Sequence, residues 1–138
     1  MNAHKFPAGT VEKKGAVLKI TIQKDEVITV DDMKAITKIR QELFGNKNYV
    51  ALIDMRDEDI DMTDEAVKYV TSADVIQSLR IAEVLLVKSF TQKIEVHSYV
   101  KIMRSDDNIT VMTDEENAIH WLNRQYDKHQ GTNLEKAH

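Results

Sequence analysis

Between Ala16 and Gln23 the chain alternates: Leu18, Ile20 and Ile22 interleave with Lys19, Thr21 and Gln23. A period of two is that of a strand with one buried and one wet face. With Thr10 to Lys13 before it and a Lys14–Gly15 turn between, it predicts a hairpin. The period then changes. Met33, Ile36, Ile39 and Leu43 recur at helical spacing, with Thr29 and Asp32 placed to form a capping box and Gly45 to stop the helix after Phe44. The runs YVALIDM (49–55) and IAEVLLV (81–87) are apolar without alternation, the pattern of strands covered on both faces. Ile109 to Met112 predicts a short closing strand.

Between these strands the spacing predicts a helix from Thr63 to about Leu79 and another from Ser89 to about Arg104, Ser89 and Gln92 forming a capping box. The last helix begins at TDEENAIHWLNRQY, capped by Thr113 with Glu116, and its apolar side carries Ala118, Leu122 and Tyr126 with Trp121 at the margin. The expected order is ββαβαβαβα, an α/β fold with a mixed five-stranded sheet and about four flanking helices. Residues 10–128 form its single domain, 1–9 are expected to be loose, and the polar tail 129–138 is expected to fray. The expected core includes Leu18, Ile20, Ile22, Leu52, Leu86, Val111 and Leu122.

Composition narrows the function classes. The chain has no cysteine, which excludes disulfides, thiol nucleophiles and thiolate zinc sites and suits a reducing cytoplasm. A net charge of −4 opposes a nucleic-acid partner, since affinity for phosphates rests on Lys and Arg. No stretch approaches the ~18 apolar residues of a membrane span, and the first residues hold no run suited to a signal peptide.

Several strings are similar to SpoIIAA-like proteins of the STAS superfamily: YVALIDMR (49–56), AEVLLVKSF (82–90), Tyr99, and VMTDEENAIHWLN (111–123). The resemblance implies a mixed sheet flanked by helices, with no cofactor and no catalytic machinery, in a domain that works by binding. In the sporulation anti-anti-sigma factors, the surface after the third strand binds a kinase-like anti-sigma factor, and a serine there is phosphorylated. A likeness to CRAL-TRIO lipid carriers implies an apolar ligand instead. The phosphoswitch pattern Asp-Ser-Ser-Gly is matched here by Thr63-Asp64-Glu65-Ala66, which puts a carboxylate at the phosphoacceptor position.

Asp54, Asp57, Glu58, Asp59, Asp61, Asp64 and Glu65 crowd the carboxyl end of the strand at 49–55. So many carboxylates repel phosphate, and the edge reads as a protein contact comprising Arg56, Asp57, Glu58, Asp59, Asp61, Thr63, Asp64 and Glu65. Thr63 is the phosphosite candidate. Asp57, Asp59 and Asp61 match the first ligand positions of a calcium loop, but Met62 replaces its glycine and Lys68 its closing glutamate, so no metal is expected. Met55, Met62, Phe90, His97, Tyr99 and Met103 are the candidate lining of an apolar pocket. The histidines lack metal spacing, and no Gly-x-Ser-x-Gly elbow is present.

The expected function is that of a non-catalytic, cytoplasmic interaction domain with an unidentified protein partner. The alternative is a small carrier or sensor of an apolar ligand. Ile119 and Trp121, off the main stripe of the last helix, suggest a homodimer through that helix.

Overall fold

The computed structural model describes residues 3–23, 28–56, 79–89 and 108–137. Six strands form one mixed sheet, ordered in space as in sequence: β1 (His4–Phe6), β2 (Gly9–Lys14), β3 (Val17–Ile22), β4 (Tyr49–Asp54), β5 (Arg80–Leu86) and β6 (Ile109–Met112). The first three are antiparallel neighbours, and β3 through β6 pair in parallel. Helix α1 spans Val30–Phe44 and helix α2 spans Glu115–Ala137.

Five of these strands stand where the hydrophobic pattern places them. The sixth is a correction: the expected loose amino end contains β1, turned back on β2 through Pro7 and Ala8. Phe6 and Ala8 are buried, so this terminus is part of the core. A three-residue strand offers no alternation to read, and tertiary burial decides it. The second hairpin turns at Gly15, whose φ of +62° suits a residue without a Cβ. Two helices are described where four were expected, and the expected segments 63–79 and 89–104 lie almost wholly outside the described residues.

Helix α1 starts as its sequence predicts. Thr29 Oγ1 accepts from the Asp32 N–H, and the Asp32 carboxylate accepts from the Thr29 N–H at 3.0 Å. Gly45, at φ +59°, ends it. No basic residue lies in its last turn, and two cations from outside that turn serve the carbonyl end: Lys13 donates to the Leu43 carbonyl and Arg40 to that of Gly45. Arg40 is buried, its guanidinium over the Tyr49 ring.

Helix α2 is capped by Asp114, whose carboxylate accepts from the Asn117 N–H at 3.0 Å, so the cap sits one residue later than the expected Thr113. The helix also continues to Ala137, past the expected fraying point at His129.

The two faces of the sheet carry separate cores. On one, Val11, Leu18, Ile20, Ile22 and Ala51 meet Ile36, Ile39 and Phe44 of α1. On the other, Val17, Val50, Leu52, Ala82, Val84 and Leu86 meet Ala118 and Leu122 of α2. All seven residues expected in the core are buried.

Candidate functional site

Asp54 ends β4 on the face that α2 covers, and Arg56 follows it out of the sheet. Arg56 turns back on Asp54 with a two-pronged contact, Nε to Oδ1 at 2.9 Å and Nη2 to Oδ2 at 2.7 Å. Its backbone N–H also donates to Oδ1, at 3.1 Å. The same Nη2 reaches Glu115 Oε1 in the first turn of α2, at 2.8 Å. Lys19, on the same α2-covered face of β3 as Val17 and only 13% exposed, donates to the other oxygen of Glu115 at 3.0 Å. Two cations and two carboxylates thus close a chain that fastens β3 and the end of β4 to the start of α2.

Burial by itself would raise the Asp54 carboxyl. The side-chain and backbone hydrogen bonds from Arg56, and the charges of Arg56 and Lys19, outweigh it and hold the group below its ordinary 3.8. Arg56 is shifted upward, first by its hydrogen bond to Asp54, against burial, with the Asp54 and Glu115 charges adding to the rise. A carboxylate held this low is a poor proton donor at neutral pH. The arrangement suits fastening and presentation of Arg56, whose side chain is 36% exposed against 9% for Asp54.

Two features weigh on what this edge can bind. Asp114, Glu115 and Glu116 occupy the cap and first turn of α2, so its amino end already carries negative charge. Among the described residues the sheet also runs in sequence order without reversal, with no switch point of the kind at which open α/β sheets open a ligand crevice.

Of the contact residues expected from sequence, Arg56 is among the described residues; Asp57, Glu58, Asp59, Asp61, Thr63, Asp64 and Glu65 lie outside them. Of the pocket residues, Met55 is half-buried and its N–H donates to the Leu86 carbonyl at 2.9 Å. Met62, Phe90, His97, Tyr99 and Met103 lie outside the described residues. Sequence reasoning missed Lys19 and Glu115 as partners of this edge, since 96 positions separate them. The only signal was an acidic helix start, which capping alone explains. His120 is exposed on α2. Among the described residues, no group of three His, Cys, Asp or Glu side chains is placed to hold a metal, and no helix is long and apolar enough to cross a membrane.

These features define an α/β domain of SpoIIAA-like fold, as a solved neighbour shows. The structure of an uncharacterized protein of the DUF3478 family from Shewanella loihica PV-4, described as having a SpoIIAA-like fold, matches with a TM-score of 0.54 at 16% identity, over 81% of this chain and 90% of that one. Residues 11–126 match the family described as Domain of unknown function (DUF7793), and the chain belongs to that family. No curated protein matches it.

Proposed function

We propose that this is a non-catalytic, cytoplasmic, STAS-like interaction domain that contacts a protein partner through the carboxyl edge of β4. The observation carrying this reading is the Asp54–Arg56–Glu115–Lys19 chain. It fixes the first residue of the contact edge against two strands and a helix, and it commits the ionisable groups there to one another. Recognition loops work best on such rigid supports.

The acidic run that follows in sequence, Asp57 to Glu65, supplies charge for recognition. A cationic surface is therefore the partner chemistry this edge fits. The test is affinity capture from cells with the intact protein as bait, comparing wild type with the Asp57→Asn, Asp59→Asn, Asp61→Asn triple variant. Capture that weakens at least tenfold in the variant supports the acidic edge; undiminished capture removes it. Native mass spectrometry of the purified protein runs alongside, because a stoichiometric co-purifying lipid would replace this reading with that of an apolar-ligand carrier.

A further inference from the structure

The two edges of the sheet are built differently. β1 is three residues long, carries exposed Lys5 and is followed by exposed Pro7, features that discourage pairing with another chain. β6, Ile-Thr-Val-Met, has no charge and no proline, and Ile109, Thr110 and Met112 are partly exposed. Parallel pairing turns alternate residues of β6 toward β5: the Asn108 carbonyl accepts from Glu83 N–H and the Met112 carbonyl from Val87 N–H, both at 2.9 Å. Thr110, in the same phase, also faces inward. Ile109 and Val111 therefore direct their N–H and C=O groups outward, and among the described residues nothing pairs with them.

We propose that β6 pairs antiparallel with β6 of a second copy, joining two sheets across a two-fold axis at Thr110. The register follows from parity. Residues opposite one another in an antiparallel pair exchange both backbone bonds or neither. Placing Ile109 opposite Val111 of the second copy, and Val111 opposite its Ile109, satisfies all four outward groups. Thr110 then meets Thr110 as the close, non-bonded pair, on the α2 face where its β5 neighbour Val84 also lies. No charge meets a like charge in this strand.

The α2 layer fits the same axis. Glu115 reaches Lys19, so its flank of α2 faces β3, and Ile119, four residues on, shares that flank. Trp121 lies about 120° round from Glu115, beyond the buried Ala118 and Leu122, on the flank toward β5 and β6. Trp121 is partly exposed and packs in the cluster that includes Met112. With α2 resting over β4 and β5, strand spacings of about 4.8 Å put the two α2 axes about 19 Å apart. Direct helix contact needs about 8–10 Å. The intervening channel, floored by Thr110 and Met112, is open to the two Trp121 side chains. The expected interface through Ile119 is thereby replaced, since Ile119 points away from this edge.

The test exploits the absence of cysteine from the chain. Thr110→Cys places two sulfurs at the axis, where a Cα separation of about 4.5 Å lies within the disulfide range of about 4.4–6.8 Å. Mild oxidation should convert most of it to a covalent dimer, while Lys14→Cys, at the exposed end of β2, stays monomeric on the gel. By sedimentation at about 50 μM, wild type should have twice the 15.8 kDa chain mass. Ile109→Pro, which removes an outward N–H, and Thr110→Lys should be monomers with unchanged circular dichroism. Thr110→Lys mixed with Thr110→Glu should recover the dimer, and Ile119→Glu should leave it intact. A monomeric wild type, equal cross-linking of Lys14→Cys, or a dimer split by Ile119→Glu but not by Thr110→Lys would overturn the proposal.

Discussion

Asp54 and Glu115 together hold Arg56 at the end of β4, and acid should reveal the Asp54 part. The folded-state pKa of Asp54 lies below its ordinary 3.8. Its contribution to stability is therefore present above the unfolded value and lost as pH falls through the folded one. Arg56→Gln removes the partner and leaves burial to dominate, so the Asp54 pKa should rise. At pH 7 the variant should lose about 1–3 kcal/mol, the cost of a buried acceptor left without its donor. As pH falls through the folded-state value of Asp54 the two proteins should converge. Urea unfolding from pH 2 to 7 measures this, and a pH-independent difference would mean that Arg56 acts by packing alone. A second residue matters for the opposite reason: at Gly9 a Cβ would run into the Thr21 carbonyl oxygen of the adjacent strand. Gly9→Ala should cost about 1–3 kcal/mol by overpacking. A thermal melt unchanged from wild type would show that β2 and β3 can part to admit a methyl group.

At the scale of elements, legibility followed the strength of the periodic signal. The alternation in β3, the unbroken apolar runs of β4 and β5 and the stripe of α1 all appear as strands or helix in place. What escaped were polar residues whose burial depends on distant partners. Glu83, inside an apolar run, is buried against Arg80 at 3.1 Å, and Arg40, on a helix flank, is buried with its guanidinium over the Tyr49 ring. The α2 cap moved from Thr113 to Asp114 because either residue can cap, and the sequence does not choose between them. The Lys19–Glu115 contact left no trace beyond an acidic helix start that capping already explains. The central position of β4 carries its own prediction. Leu52 is fully buried, flanked by β3 and β5 and covered by α2. Leu52→Ala should cost about 2–5 kcal/mol. Denaturant unfolding that shows a loss below about 0.5 kcal/mol, the range of surface substitutions, would contradict a strand covered on both faces.

For the whole molecule, the question is whether two cores on opposite faces behave as one. They share strands: in β3 Leu18 belongs to the α1 side and Val17 to the α2 side, and in β4 Ala51 and Leu52 divide in the same way. A strand cannot leave one layer and stay in the other, so unfolding should be a single cooperative transition. The amino terminus gives a sharp test, because Phe6 of β1 and Ala8 after it pack, among the described residues, in the α1-side core, whereas the single tryptophan, Trp121, reports from the α2 side. Phe6→Ala should cost about 3–5 kcal/mol, the usual loss for a buried phenylalanine. Because the layers are coupled through β3 and β4, Trp121 fluorescence should shift to lower urea by the same amount as far-ultraviolet circular dichroism. Fluorescence that holds its midpoint while circular dichroism moves would mean that the α2 layer survives on its own. The sheet would then be two units joined at β3, and β1 would bear on only one of them.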